Sequence, residues 1–241
     1  MINYAHRGAS SEFPENTMLA FKKAIEMKAD GIELDVHKTA DGKLVVIHDE
    51  DVQRTFRGKG QIKDLTLDQI QDLDCRQQIW ETNFECKAPE LEEVMKLVKE
   101  NNIKLNIEIK TDIIQYDGIE EDVVKLIEKL EMVDSVLISS FHSESLVKVK
   151  EINKNIKTGF LYFKPMDNAI EHAKSLGADA LHPSLLSGIT PEFVQEVKNA
   201  GLDINVYTIN DPVYMRKLIE AGVTGIFTDY PELFNEVNSE F

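Results

Sequence analysis

The sequence predicts an α/β protein whose eight parallel strands, each followed by a helix, close into a (β/α)8 TIM barrel. Short runs rich in β-branched and apolar residues alternate with segments whose apolar residues recur at helical spacing. Three of the helical segments end in glycine a few residues before the next strand run. With 241 residues, 42% of them hydrophobic, the chain can form one core, so we expect a single domain over residues 1–241.

The strand and helix segments follow one another along the whole chain. Two later helices have a capping residue before a proline that suits the first helical position, at Thr190-Pro191 and Asp211-Pro212. An open doubly wound sheet is the structural alternative, but no glycine-rich phosphate-binding turn follows the first strand run. The eight predicted strand runs are Ile2–His6, Gly31–His37, Lys104–Lys110, Ser135–Phe141, Lys157–Tyr162, Ala178–His182, Asp203–Ile209 and Gly225–Thr228.

The second and third strand runs are farther apart in sequence than the later consecutive runs, which predicts a small insertion after the second barrel unit. The starts of the second and third strand runs are 73 residues apart. Asp41-Gly42 predicts a two-residue hairpin turn in the first part of this interval. Residues 50–87 are polar and irregular, with a short helix expected after Thr66, which forms a capping box with Gln69. We expect this inserted subdomain to lie over one mouth of the barrel.

The composition excludes several classes of partner. The formal net charge of −16 repels nucleic acid and anionic membrane surfaces. No apolar run approaches the roughly 18 residues of a membrane span. The two cysteines, Cys75 and Cys86, form no CxxC motif and predict reduced thiols. The N-terminus lacks the pattern of a secretory signal, so we expect a cytoplasmic protein, for which oligomerisation is possible but not indicated.

Acidic side chains occur where a barrel interior is ordinarily apolar. In the second strand run the apolar residues must face the helices, which directs Glu33 and Asp35 into the barrel. The same alternation directs Asn106, Glu108 and Lys110 inward from the third run. Three buried carboxylates cost several kcal/mol unless they are compensated, and an all-oxygen ligand set suits Mg²⁺ or Ca²⁺. A salt-bridge network without a metal is the alternative.

Two histidines are candidates for acid and base chemistry beside these carboxylates. His6 ends the first strand run, at the face where barrel active sites lie. A two-residue turn at Asp41-Gly42 would place His48 directly opposite Asp35 on the neighbouring strand. Neutral imidazole is suited to proton transfer at pH 7. His37 is expected on the hairpin surface, and mid-helix His172 is expected to have no role in a site.

These residues belong to an ordered set of motifs, which are His6-Arg7-Gly8, Pro14-Glu15-Asn16-Thr17, Glu33-Leu34-Asp35-Val36, Asp41-Gly42 with Val46-Ile47-His48-Asp49, Glu108-Ile109-Lys110, Ser140-Phe141, His182-Pro183 and Thr228-Asp229-Tyr230-Pro231. Over essentially the whole chain, this set resembles the glycerophosphodiester phosphodiesterases. The resemblance implies a metal-dependent phosphodiesterase on a barrel with a small insertion. It implies one divalent cation, Mg²⁺ or Ca²⁺, and a small-molecule glycerophosphodiester substrate cleaved to glycerol 3-phosphate and an alcohol.

The resemblance also implies roles for individual residues. By residue-to-residue match, the metal ligands are Glu33, Asp35 and Glu108, the acid/base pair is His6 and His48, and the phosphate contacts are Arg7 and Lys110. It further suggests that the glycerol 2-hydroxyl attacks first and that water then opens a cyclic phosphate. Two departures, Glu90 at a helix cap and Tyr207 where some members have tryptophan, leave the preferred alcohol open.

Further residues are expected near the substrate. Glu15 and Asn16 open the first helix, where Asn16 would cap it or reach the substrate. His182, at a strand end, and Tyr207, near the same rim, are expected to contact the substrate. His142 fits a substrate contact and a helix start equally well, whereas Phe160 is expected to serve packing.

Three other functions are alternatives to this one. A phospholipase-like phosphodiesterase acting on lipid head groups would need an exposed apolar or basic membrane-contact surface, for which the inserted segment is too polar. A glycoside hydrolase would use paired carboxylates without needing the histidines and cations, and its sugar site is usually richer in aromatics than a chain with one tryptophan. The third alternative is a non-enzymatic metal-binding barrel. The substitution His6→Ala distinguishes it from an enzyme, because in an enzyme the substitution abolishes turnover while metal affinity persists.

Overall fold

The computed structural model describes residues 1–241 and contains nine strands and nine helices. The strands are β1 Ile2–His6, β2 Gly31–Lys38, β3 Leu44–Val46, β4 Lys104–Ile109, β5 Val136–Ser140, β6 Lys157–Tyr162, β7 Ala180–Pro183, β8 Asp203–Val206 and β9 Gly225–Thr228. The helices are α1 Met18–Glu26, α2 Leu67–Gln71, α3 Leu91–Asn101, α4 Ile119–Lys129, α5 Ser143–Ile152, α6 Ala169–Ser175, α7 Pro191–Asn199, α8 Pro212–Ala221 and α9 Pro231–Asn238. None of the helices has the length and apolar character needed to cross a bilayer.

Eight of the strands form a closed parallel barrel. β1 pairs with β9 on one side and with β2 on the other, and the remaining barrel strands follow in chain order. Only β3 is antiparallel, paired with β2 outside the ring. The closed (β/α)8 barrel predicted from the alternating pattern is therefore confirmed, and the open sheet is excluded. All eight carboxyl ends lie at one mouth.

Alternation along the strands separates the packed outer layer from the barrel interior. Ile32, Leu34 and Val36 of β2 are fully buried and pack with residues of the surrounding helices in one apolar cluster. Glu33 and Asp35, the alternate residues of the same strand, therefore point into the barrel. This is the orientation that the sequence predicted for both carboxylates.

The β2–β3 hairpin has a different register from the predicted one. Val36 lies opposite Val46, and the backbone N–H of Thr39 donates to the carbonyl of Lys43 at 2.9 Å. The loop therefore has three residues, with Gly42 in the left-handed conformation at φ 75°. The predicted pairing of Asp35 with His48 is wrong by one residue, because this bulged turn replaces the two-residue turn.

Residues 50–87 follow the hairpin and pack around a small apolar cluster of their own. The cluster includes Phe56, Ile62 and Ile70 and joins the segment to the outer side of β3. The capping box predicted at Thr66 and Gln69 is present and starts α2. Three short 3₁₀ turns, at Ile62–Asp64, Gln78–Trp80 and Phe84–Cys86, complete the segment.

The surface of this segment is less polar than its composition indicates. Ile79 and Phe84 are 82% and 80% exposed, respectively. Cys75 and Cys86 are buried, unbonded thiols that pack with Leu19 of α1. The segment is therefore held against α1, the helix that follows the first barrel strand.

Candidate active site

A cavity of about 220 Å³ opens at the carboxyl ends of the strands. Each of the eight barrel strands, or the residues directly after it, contributes to its wall. This convergence of polar side chains at one end of a barrel is typical of a catalytic centre. The lining residues are His6, Arg7, Glu33, His48, Asn106, Glu108, Ser139, Phe141, Leu161, Phe163, His182, Tyr207, Thr208 and Phe227.

Three carboxylates meet at one side of this cavity. Glu33, Asp35 and Glu108 each offer an oxygen, and these three oxygens all lie within 4.8 Å of one another. The strand register explains the meeting, because Asp35 of β2 pairs directly with Glu108 of β4. Glu33 and Asp35 are 4% and 1% exposed, so the cluster is withdrawn from bulk water. The convergence predicted from two separate strands is thus present.

Two cations balance only part of this negative charge. Lys110 Nζ lies 2.8 Å from Glu108 Oε1, and Arg7 Nε lies 3.3 Å from Asp35 Oδ2. Glu33 has no ion pair and accepts a hydrogen bond from the backbone N–H of Arg7 at 2.9 Å. A salt-bridge network alone therefore leaves one of three buried carboxylates uncompensated. The all-oxygen donor set and this residual charge fit a hard divalent cation.

The pKa values reflect the same imbalance. Burial, followed by repulsion from Asp35 and Glu108, raises the pKa of Glu33 well above its usual value. Burial raises the pKa of Glu108 too, since Lys110 offsets it only in part. For Asp35 burial acts in the same direction, but Arg7, His48 and Lys110 outweigh it and lower the pKa to about 2. Of the three carboxylates, only Asp35 therefore has surroundings that favour its charged form.

His6 is oriented by a carboxylate from the other end of the chain. Its Nδ1 lies 2.7 Å from Asp229 Oδ1, just after β9. Asp229 also accepts hydrogen bonds from Ser10 Oγ at 3.1 Å and Asn210 Nδ2 at 2.6 Å. Because a carboxylate can only accept, Nδ1 of His6 carries the proton and Nε2 is left to accept one. Burial raises the pKa of Asp229, but the hydrogen bond from His6 and the other donors lower it overall.

His48 is held in the same way by its neighbour in sequence. Its Nδ1 lies 2.7 Å from Asp49 Oδ1, and its Nε2 lies 3.5 Å from Lys110 Nζ. Its backbone carbonyl accepts a hydrogen bond from His37 Nε2 at 3.0 Å, and Tyr116 donates to His37 Nδ1 at 2.9 Å. The prediction that His37 lies on the hairpin surface is wrong, because β2 extends through it and Tyr116 covers its ring. His37 instead fixes the backbone of His48.

Glu15 and Asn16 lie beside the site, although not at the helix start that the sequence predicted. Thr17 caps α1 by accepting from the N–H of Ala20, so Glu15 and Asn16 precede the helix. Asn16 Nδ2 donates to Asp35 Oδ2 at 2.8 Å, and Glu15 Oε1 accepts from Arg7 Nη1 at 3.0 Å. Both residues therefore hold other site residues in place.

His182 and Tyr207 are both part of the cavity, at different depths. His182 lies near the end of β7, as predicted, and is fully buried, so it forms the cavity floor inside the barrel. Its Nε2 lies 3.0 Å from Asn205 Nδ2, and burial lowers its pKa to about 3. Tyr207 forms part of the cavity wall, and its hydroxyl donates a hydrogen bond to the carbonyl of Tyr162 at 3.0 Å.

The remaining candidates lie outside the cavity. His142 occupies the N-cap position of α5, and its Nδ1 lies 3.3 Å from Ser145 Oγ. Of the two roles that the sequence allowed, it therefore has the one at a helix start. Phe160 faces outward and packs its ring 4.7 Å from that of His172 in α6, in agreement with the predicted packing role. His172 accordingly takes no part in the site.

Several site residues were not predicted from the sequence. Asp49 follows His48 directly, and Asp229 lies within a strand-end motif, so adjacency and position are signals that could have identified them. Arg54 gives no such signal, since its contacts with Asp49 and Glu15 depend on the folded path of the inserted segment. Ser139 is recognisable only from the register of β5 against β4.

A barrel whose mouth combines buried carboxylates, two carboxylate-paired histidines and two cations defines a class of hydrolases suited to anionic esters. The chain matches the glycerophosphoryl diester phosphodiesterase family over residues 6–233 and belongs to it. It is an enzyme of that family, a phosphodiesterase, which excludes the glycoside hydrolase and the non-enzymatic barrel.

Similar proteins include a glycerophosphodiester phosphodiesterase of Caldanaerobacter subterraneus subsp. tengcongensis, 43% identical over 95% of this chain and 93% of that protein. One from Bacillus altitudinis is 37% identical over 98% of both chains. Among solved structures, an Oleispira antarctica phosphodiesterase in complex with the product sn-glycerol-3-phosphate has a TM-score of 0.86 and 27% identity, over 99% of this chain and 97% of that one.

Proposed function

We propose that this enzyme hydrolyses glycerophosphodiesters to glycerol 3-phosphate and an alcohol, using one bound divalent cation, Mg²⁺ or Ca²⁺. The observation that carries the proposal is the sharing of one cavity by His6, His48 and the carboxylates Glu33 and Glu108. The product bound to the Oleispira antarctica relative and the names of the bacterial relatives support the same substrate class.

The cation would be held by Glu33, Asp35 and Glu108. The three carboxylates supply a hard oxygen donor set, and Glu33 forms no ion pair within the protein. When bound, such an ion neutralises charge that develops on phosphate oxygens during hydrolysis. The cluster is fixed by neighbouring strands, so its geometry does not depend on a flexible loop.

Arg7 and Lys110 would bind the phosphate. Arg7 lines the cavity and Lys110 lies next to it, and the side chains of both already pair with the carboxylates. Their local charge has to oppose the net charge of −16, and it can do so because salt screens charges beyond ~8 Å. Glu15 and Asn16 would support this arrangement through Arg7 and Asp35.

The glycerol and alcohol ends of the substrate would contact the less charged part of the cavity. His182 forms its floor, while Tyr207 and Phe163 form its wall. We place the glycerol moiety against these residues because the carboxylates and cations occupy the opposite side.

The two histidines would carry the protons. One histidine is neutral, and its Nε2 accepts a proton from the attacking oxygen. The other histidine is an imidazolium and donates its proton to the leaving alkoxide. Asp229 and Asp49 stabilise the imidazolium form of His6 and His48, respectively, and fix the orientation of each ring. The attacking oxygen is the glycerol 2-hydroxyl, and water then opens the cyclic phosphate.

We also propose that the enzyme works in the cytoplasm as a single domain, residues 1–241, with 50–87 as an inserted subdomain. The unbonded thiols of Cys75 and Cys86 suit a reducing compartment. The shared packing of the inserted segment with β3 and α1 supports a dependent subdomain rather than an independent one.

The test is to incubate the protein with glycerophosphocholine, glycerophosphoethanolamine and glycerophosphoglycerol, with Mg²⁺, Ca²⁺ or excess chelator. Glycerol 3-phosphate should form only with a metal, and a cyclic phosphate should appear transiently. His6→Ala and His48→Ala should abolish turnover while calorimetric metal affinity stays within a few fold. Undiminished product in excess chelator would remove the cation from the proposal.

A further inference from the structure

We propose that Arg54, on the inserted segment, is a positioning residue for catalysis that acts through Asp49 on His48 and through Glu15 on Arg7. The inference rests on the proposed function, because it concerns the proton-transfer and phosphate-binding groups of the same site. It gives the inserted segment a part in catalysis.

The guanidinium of Arg54 spans two carboxylates. Its Nε donates to Asp49 Oδ2 at 2.6 Å, and its Nη2 donates to Asp49 Oδ1 at 3.1 Å. On the other side, Nη1 donates to Glu15 Oε2 at 2.6 Å and Nη2 to Glu15 Oε1 at 2.7 Å. Each carboxylate is therefore held by two bonds from one rigid planar group, an arrangement that a lysine cannot reproduce.

Each of these carboxylates in turn holds a group at the cavity. The Oδ1 atom of Asp49 lies 2.7 Å from Nδ1 of His48, and Oε1 of Glu15 accepts from Nη1 of Arg7 at 3.0 Å. Arg54 itself does not line the cavity around His6 and His48. Its influence on the reaction must pass through its two partners.

The pKa values of Asp49 and Glu15 agree with this hydrogen-bonded arrangement. Burial raises the pKa of Asp49, but hydrogen bonds from Arg54 and His48 lower it to about 2. Burial likewise raises the pKa of Glu15, and Arg54 together with Arg7 brings it below its ordinary value. The neighbours of both carboxylates thus favour the ionised, hydrogen-bond-accepting form that orients His48 and Arg7.

The position of Arg54 argues against a mainly structural role. Its side chain is 47% exposed, so water screens its ion pairs and limits their contribution to stability to what their bidentate geometry preserves. Arg57, three residues along the same segment, is 45% exposed and pairs with Glu81 at 2.9 Å, a residue that contacts no site group. Arg57 is therefore a matched control for the loss of an arginine ion pair.

The first experiment compares Arg54→Met, Arg54→Lys and Arg57→Met with the wild type. Misplacement of a catalytic group by about 1 Å can cost roughly 100-fold in rate, so we expect Arg54→Met to lower kcat by roughly 10- to 100-fold. Arg54→Lys should recover only part of this loss, and Arg57→Met should stay within twofold. Melting temperatures of all three should lie close together. If Arg54→Met does not fold, Arg54→Lys carries the comparison.

The second experiment asks whether Arg54 acts through its two partners. In an Asp49→Asn/Glu15→Gln background, adding Arg54→Met should lower kcat by no more than about twofold, because the path is already broken. An undiminished kcat in Arg54→Met would overturn the inference. So would a loss of kcat caused by Arg54→Met in the Asp49→Asn/Glu15→Gln background that equals the loss it causes in the wild type.

A measurement independent of turnover separates this inference from the proposed function. In ¹⁵N NMR of the imidazole nitrogens, wild-type His48 should show a protonated Nδ1, and Arg54→Met should show a mixture of tautomers. Arg57→Met should retain the wild-type spectrum. An unchanged His48 spectrum in Arg54→Met contradicts the inference, whereas absence of hydrolysis by the wild type contradicts only the proposed function.

Discussion

The Nδ1 atom of His6 lies 2.7 Å from the carboxylate of Asp229, a residue 223 positions later in the chain. The first and last strands bring them together, since β1 pairs with β9 and Ala5 lies opposite Thr228. Closure of the barrel therefore completes a histidine–aspartate pair that neither end of the chain could form alone. Asp49 supplies the corresponding partner to His48 locally, so the two histidines are oriented by unrelated parts of the sequence.

The first prediction concerns Asp229→Asn. The amide can donate to Nδ1 of His6, which reverses the tautomer and places the proton on Nε2, and it cannot stabilise an imidazolium. We expect kcat for glycerophosphocholine to fall by roughly 10²–10⁴-fold with little change in KM, as measured by steady-state release of glycerol 3-phosphate.

The control for this change is Asp211→Asn on the same face of the barrel. Asp211 caps α8 by accepting from the N–H of Val213, and asparagine caps helices equally well. Its kcat should match the wild type. A comparable loss in both variants would mean that His6 does not depend on Asp229.

The second prediction concerns Glu33→Gln and metal removal. Without metal, Glu33 is a buried carboxylate that repels Asp35 and Glu108 and has no ion pair. The neutral amide relieves this repulsion, so the chelated variant should melt at a higher temperature than the chelated wild type. With Mg²⁺ or Ca²⁺ added, the wild type should gain stability by mass action while the variant gains little.

The order of the two melting temperatures should therefore reverse when metal is added. Glu151→Gln, at an exposed position of α5, should follow the wild type in both conditions. Equal stabilisation of Glu33→Gln and wild type by metal would show that Glu33 is not a ligand.

The barrel and its inward carboxylates could be predicted because both depend on local alternation along the strands. The position of His48 was predicted from an incorrect two-residue turn. The residue still lines the cavity because the chain after β3 stays beside β2, where the N–H of Ile47 donates to the carbonyl of Asp35 at 3.1 Å. His37 was misassigned because its partner, Tyr116, lies 79 residues away. Arg54 was missed for the same reason, since Glu15 lies 39 residues before it.

The third prediction is a pH dependence of stability caused by His182. Burial lowers its pKa from 6.5 to about 3, so it stays neutral in the fold while the unfolded chain takes up a proton below about pH 6.5. The unfolded state then binds more protons, and stability falls as pH decreases from 6.5 toward 3. His182→Gln removes this titration.

Urea unfolding in chelator at a series of pH values measures the difference. Between pH 6 and 4 the stability of the wild type should fall more steeply than that of His182→Gln, by up to ~1.4 kcal/mol per pH unit for one proton. The difference should be constant above pH 7.5. Parallel curves throughout would mean that His182 titrates alike in both states.

The fourth prediction concerns Gly159, whose lack of a side chain makes room for the ring of His182. A Cβ atom at residue 159 would lie 2.5 Å from Nε2 and 2.6 Å from Cε1 of His182. The ring is fully buried and bonded to Asn205, so it cannot move away without cost. Gly159→Ala should therefore destabilise the protein by about 1–3 kcal/mol in urea unfolding and lower kcat/KM by displacing the cavity floor.

The contact itself is tested by combining Gly159→Ala with His182→Ala. Because the smaller side chain vacates the space, the added methyl group should cost much less stability in that background than in the wild type. Gly222→Ala is a useful contrast, since Gly222 ends α8 at φ 76° and its loss should cost stability equally in both backgrounds. If the cost of Gly159→Ala is also independent of His182, the methyl group meets some other obstacle, and the ring does not determine the need for glycine.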